Sequence, residues 1–231
     1  QIENSKKVKL DLEIDTNFNF LLVGQFTADT AESDRKNIFN TLKWMCEAFK
    51  DDPDVGVIIK TNHGKNTKID KSITKKLISD ALTQVRKGPY PKIHLLHGHL
   101  TGDEISSLYI DPSVKAFISL TRGEGFGLPL LEAAASGLPI IVTNWSGHLD
   151  FLQKKKFIPV HYKLVDIPKS KIDNRIFVEG SKWAEPLEND FKKKVKKFRH
   201  NYEIPGNWAK SLMATVRQNF SQKKICESYN S

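Results

Sequence analysis

Apolar residues along the chain fall in short runs that alternate with stretches of helical spacing. Residues 18–24, FNFLLVG, form an apolar run closed by glycine, the pattern of a strand buried on both faces. A polar loop follows. Ile38, Leu42, Met45 and Phe49 then fall on one face of a helix predicted over about residues 37–50. Residues 55–59 read as a second strand, 69–85 as a helix and 93–97 as a third strand. At 101–104, Thr-Gly-Asp-Glu sets a glutamate three residues after a hydroxyl, which opens a helix with a capping box. A fourth strand over 115–120, a helix over 129–136, a fifth strand over 139–143 and a sixth over 157–162 complete the alternation. From about residue 182 the pattern reads as helices. Strands alternating with helices predict an α/β fold, a parallel sheet with helices on both faces and a helical C-terminal tail.

Composition narrows the class. The 231 residues suffice for one large domain, or one domain and an arm. A hydrophobic fraction of 39% and a charged fraction of 27% are those of a soluble globular protein. No apolar run approaches the roughly 20 residues of a membrane span, and the start, QIENSKKVKL, lacks a signal-peptide core. That start also lacks an initiator Met, so a fragment is expected. Two cysteines exclude a disulfide scaffold, and Cys46, within TLKWMCEAF, reads as a packed core residue. A reduced, cytoplasmic protein is expected.

The net charge is +9, with lysines concentrated at 154–156 and in KKKVKKFRH at 192–200. Phe191, Val195 and Phe198 give the second run an apolar stripe, so it predicts an amphipathic helix with a lysine-rich face. A solvated face is the favoured reading; peripheral contact with an anionic membrane is the alternative. Nucleic acid is not expected, because no helix-turn-helix or basic-and-aromatic groove motif occurs.

Candidate chemistry concentrates in TRGEGFGLPLLE, where Glu124 and Glu132 are separated by seven residues. The segment follows the fourth predicted strand, and ligands of parallel sheets bind beyond the carboxyl ends of the strands. Pro129 suits a first helical turn, and Gly137 followed by Pro139 stops the helix. The helix N-terminus, with its unpaired N–H groups, therefore faces the crevice and suits a phosphate. Gly125 and Gly127 let a ligand approach the backbone. The two carboxylates flank one ligand, and a carboxylate accepts well from paired sugar hydroxyls. Two other groups point elsewhere. Asp52-Pro53-Asp54 reads as a turn between helix and strand. His94, His97 and His99 have no carboxylate or cysteine to complete a metal set, so no metal site is expected.

EGFGLPLLE resembles the E-x7-E signature of retaining GT-B glycosyltransferases of family 4, and AAASGLPIIVTNWSGHLDFL continues the likeness. The resemblance covers most of residues 18–152 and extends more loosely through Lys182-Trp183-Ala184-Glu185-Pro186. It implies the C-terminal, donor-binding, Rossmann-like domain of such an enzyme: a lead-in at 1–17, the nucleotide-sugar-binding domain at 18–181, and helices at 182–231 that complete it or cross to an N-terminal domain.

By the same resemblance Glu132 holds the nucleotide ribose, and Glu124, the candidate catalytic residue, contacts the donor sugar. Gly125, Phe126, Gly127 and Leu128 meet sugar or diphosphate. Arg35 and Lys36 match the family's diphosphate-neutralising segment. Gln25 stands where the family often has arginine, and Lys60 is the candidate for the missing charge. The edge from His97 to Leu100 meets the base. No cofactor is implied beyond a nucleoside diphosphate sugar.

The acceptor would be a glycan, lipid or protein. The short stretch before the first strand leads to the expectation that the acceptor-binding N-terminal domain is missing or supplied by a partner subunit. Trp208, Leu212, Val216 and Phe220 form a stripe that packs either on that domain or on this one. Two other readings stay open: a related GT-B epimerase or phosphorylase, and a non-catalytic module that binds sugar nucleotides.

Overall fold

The structure is a computed structural model and describes residues 5–10, 12–28 and 30–229. Six strands, β1 (Phe18–Val23), β2 (Val55–Thr61), β3 (Lys92–His97), β4 (Val114–Ser119), β5 (Ile140–Thr143) and β6 (Ile158–Val160), form one sheet in the order β3-β2-β1-β4-β5-β6. Every pairing in it is parallel. The Rossmann-like α/β fold expected from the sequence is present.

Alternation within the strands builds two cores. Phe18, Phe20 and Leu22 of β1 face one side with Val57 and Ile59, and helices α1 (Ile38–Ala48) and α2 (Lys68–Val85) cover them. Leu21, Ile58 and Phe117 face the other, under α3 (Gly102–Tyr109), α4 (Leu128–Ala135) and the short α5 (Leu149–Leu152). A one-residue slip in any strand would exchange the two sets, so the pattern fixes the register. Thr101 and Glu104 form the predicted capping box at the start of α3.

The C-terminal region departs from the helical reading. Tyr162–Asp166 (β7) and Lys182–Pro186 (β8) pair antiparallel as a separate two-stranded sheet. The strand at 182–186 was masked by its brevity and by Pro186. Helices follow at α6 (Glu188–His200), α7 (Glu203–Asn219) and α8 (Gln222–Tyr229). Helix α6 lays Phe191, Val195 and Phe198 into the first core. Part of its basic face is ion-paired: Lys192 with Glu47 and Glu188, Lys194 with Asp190, and Arg199 with Asp52 and Asp54. Helix α7 buries Leu212 and Val216 in the second core beside α4, so the 208–220 stripe packs on the chain's own helices. Among the described residues no helix is long and apolar enough to cross a membrane.

Candidate active site

The strand order reverses between β1 and β4, and the crevice of a doubly wound sheet opens at the carboxyl ends of such a pair. The loop after β1 carries Arg35 and Lys36. The loop after β4 carries Glu124 to Gly127. Their meeting forms the candidate site. Lys36 Nζ donates to Glu124 Oε2, Arg35 Nη1 donates to the Gly123 carbonyl, and Arg35 Nη1 lies 3.7 Å from Glu124 Oε2.

The loop after β1 is held from inside. Asp34 is fully buried; its carboxylate accepts from the Thr27 hydroxyl at 2.6 Å, the Lys36 N–H at 3.2 Å and the Ile38 N–H at 2.7 Å. The last of these satisfies an orphan donor at the start of α1. Asn37 takes a left-handed backbone with φ 56°, which turns the chain into the helix.

The loop after β4 is held by the turn that follows β5. Ser146 Oγ donates to the Glu124 carbonyl at 2.6 Å and accepts from the Glu124 N–H at 2.8 Å, and the Gly147 N–H donates to the same carbonyl at 3.1 Å. Gly127 caps α4 with φ 87°, and a Cβ there would lie 3.2 Å from that of His148. No side chain caps α4, so its first N–H groups are open to an anion. A Cβ on Gly125 would meet nothing within 4 Å, which leaves the approach to those amides free.

His148 is fully buried; one ring nitrogen, Nε2, is 2.8 Å from the Thr143 carbonyl and the other has no partner. Burial holds its pKa below the usual imidazole value, so the ring is neutral and Nε2 carries the proton.

Glu132 turns toward α3, where it accepts from the Tyr109 hydroxyl at 3.1 Å. Burial raises its pKa, the Tyr109 hydrogen bond opposing the shift. On the same side a cavity of 210 Å³ is lined by Gln25, Lys60, Asn62, His99 and Leu100. Lys60 is 7% exposed and donates to Asn62 Oδ1 at 2.7 Å and to the Gly98 carbonyl, both neutral acceptors; burial lowers its pKa. Lys60 therefore braces the loop after β3. His97 Nε2 is buried without a partner. Phe126 turns its ring onto Phe151 and Phe220, with centroids at 5.5 and 6.0 Å, and Leu128 is exposed. Larger cavities of 630 and 510 Å³ lie beside α2 and between α6 and α7, away from this edge. A further cavity of 440 Å³ lies beside the loop after β1, lined by Phe26, Thr27, Asn62 and His63, so size does not locate the chemistry here.

His94 bonds Thr16 Oγ1 at 2.9 Å, far from His97 at the strand's other end. Among the described residues no group of three or more His, Cys, Asp or Glu is disposed to hold a metal ion. Sequence reasoning missed Asp34, Tyr109, Arg122, Ser146, Gly147 and His148. Only Gly147, in the Trp-Ser-Gly-His turn, carried a visible signal, as the glycine after the fifth strand.

The model of the family described as glycosyl transferases group 1 matches residues 31–163. The chain belongs to this family. A model of family 4 glycosyltransferases in conflict systems also matches, over residues 106–227. Both glutamates of this group 1 chain, and the turn that clamps Glu124, lie inside both matches. A search of curated proteins found no match.

Solved structures share the fold. The C-terminal domain of a glycosyl transferase group 1 family protein from Francisella tularensis superposes with a TM-score of 0.59 at 18% identity, covering 91% of this chain and 89% of that one. Sucrose-phosphate synthase from Thermosynechococcus elongatus gives 0.66 at 14%, covering 93% of this chain and 44% of that one. The Anabaena protein HepE, solved with UDP and glucose, gives 0.60 at 13%, covering 93% and 48%. The chain thus spans less than half the length of the last two.

Proposed function

We propose that the chain is the donor-binding half of a retaining, GT-B-type glycosyltransferase that takes a sugar from a nucleoside diphosphate sugar. The observation that carries this reading is the convergence, at the switch point of the sheet, of Lys36, Glu124 and an uncapped helix N-terminus in a group 1 family chain. The diphosphate would sit against Lys36 and the first N–H groups of α4, the donor sugar at Glu124, and the ribose at Glu132 with the base toward the 210 Å³ cavity. When the bond from the sugar's anomeric carbon to the diphosphate breaks, its electron pair moves onto the leaving oxygen. A cation and backbone dipoles already fixed there stabilise that charge without a divalent metal. The acceptor, a glycan, lipid or protein, would be held by a second domain or partner subunit facing this edge.

The pKa of Glu132 gives a test. Burial raises it above the ordinary 4.5, so the native state retains a proton that the unfolded chain has lost. Its contribution to stability therefore falls as pH rises from 4.5 through the raised value. A ribose diol requires the ionised carboxylate, so affinity changes in the opposite sense and grows over the same window. Nucleoside affinity measured by calorimetry between about pH 4.5 and 7.5 should rise by ~tenfold in wild type and stay flat in Glu132→Gln. A flat wild-type profile would remove Glu132 from the ribose.

A further inference from the structure

One buried cation at the crevice has no part in the reading above. Arg122 precedes Gly123 and Glu124 and is 3% exposed. Its Nη1 donates to the carbonyls of Ala31, Glu32 and Asp34 at 2.6, 3.1 and 2.9 Å. Its Nε donates to Glu185 Oε2 at 2.5 Å, and the guanidinium lies 5.0 Å from the centre of the Trp183 ring. Its backbone is engaged as well: the N–H donates to the Arg35 carbonyl and the carbonyl accepts from the Ala184 N–H, each at 2.9 Å.

We propose that Arg122 is the positioning residue of the phosphate subsite, fixing residues 31–35 so that the backbone of Lys36 is held beside the Glu124 loop and the N-terminus of α4. The proposal rests on the donor-site reading. Asp34 ties the end of the loop after β1 to Thr27, Lys36 and Ile38, and Arg122 holds the carbonyls of Ala31, Glu32 and Asp34 itself, so the guanidinium sets where that end lies relative to the helix N-terminus. Removing a guanidinium from water is costly, and here the cost is offset by one carboxylate, one aromatic face and three carbonyls of that single loop. Lysine cannot replace this arrangement, because an ammonium has no planar fork to span the loop carbonyls and Glu185 together. Through Glu185 and Trp183 the hairpin of β7 and β8 is joined to the same point, so it sets the position of a site residue it does not touch.

The test compares wild type, Arg122→Lys and Glu185→Gln by calorimetry with UDP, GDP and ADP and with the matching nucleosides. For the diphosphate that wild type binds tightest, Arg122→Lys is expected to weaken binding ~tenfold or more, and to change nucleoside affinity by less than about twofold. Global destabilisation would not separate the two ligands. In a Lys36→Ala background, Arg122→Lys should cost the diphosphate less than about twofold further, because both changes act through one contact. Glu185→Gln keeps an acceptor for Nε and should give about a threefold loss on the diphosphate alone, and it decides the matter if Arg122→Lys fails to fold. Unchanged diphosphate affinity in the folded variants, an equal loss on the nucleoside, or full additivity with Lys36→Ala overturns the positioning role while wild-type binding stands. A wild-type protein that binds none of the three diphosphates overturns the donor-site reading, and this proposal with it.

Discussion

Gly147→Ala is expected to cost about 3 kcal/mol of stability and to lower the thermal midpoint by ~6–12 °C. A Cβ at Gly147 would fall far inside van der Waals contact of the Gly125 carbonyl oxygen and press on the Glu124 carbonyl at 3.1 Å. Neither is the end of a flexible side chain; both are backbone, so the loop itself must move. The same loop is fastened by two hydrogen bonds of Ser146 Oγ and one of the Gly147 N–H, and the displacement breaks them together. Ser146 itself sits at φ 92°, an uncommon conformation for a residue with a side chain, so the turn has little freedom to yield. Gly206→Ala is the control: a Cβ there meets nothing within 4 Å and lies in α7, so the change should be neutral or stabilising. Scanning calorimetry of the two variants checks the contrast. An unshifted midpoint for Gly147→Ala would show that the turn after β5 does not clamp the Glu124 loop.

The two glutamates should separate by ligand. Glu132→Ala is expected to weaken a nucleoside diphosphate and its sugar conjugate alike, by about 2–3 kcal/mol or ~30–150-fold, since charge-assisted bonds to a ribose diol are common to both. The Tyr109 hydroxyl, left without its carboxylate, lowers the stability of the variant but not its affinity. Glu124→Ala should act differently because Glu124 holds Lys36 in the free protein. A diphosphate must draw Lys36 away from that carboxylate. Removing it should leave the free diphosphate bound as well as in wild type or better, and the sugar conjugate about tenfold weaker. Titrations of both ligands into both variants measure this directly. Parallel losses for Glu124→Ala and Glu132→Ala would mean that the sugar is not at Glu124.

What the sequence disclosed depended on whether the information was local. The six parallel strands and the helices between them are written in apolar runs and helical spacing, and Thr101 with Glu104 marks a helix start through two residues three apart. The strand pattern placed the Glu124 loop at the carboxyl edge of the sheet, and the Lys36 loop joined it only through the resemblance. Resemblance, and not periodicity, supplied the idea that these two loops share a ligand. Arg122 was invisible because its partners at 31–34 and at 185 are remote in the chain and mostly backbone carbonyls. A buried arginine leaves no trace in a hydropathy pattern. The β7 and β8 pair was hidden for a related reason: each strand has five residues, and neither reads as an alternating run. Lys60 shows the limit of inference from strand ends. Its position near the carboxyl end of β2 is where a phosphate ligand would stand, and its contacts turn it to the carbonyl of Gly98.

Titration of UDP, GDP and ADP in the presence of a chelator tests for a donor site at the switch point of the sheet. At least one of the three should bind at a single site without metal, and Lys36→Ala should weaken it ~tenfold or more while leaving the matching nucleoside unaffected. Absence of binding by all three, binding only when a divalent metal is restored, or affinity that survives Lys36→Ala unchanged would contradict it.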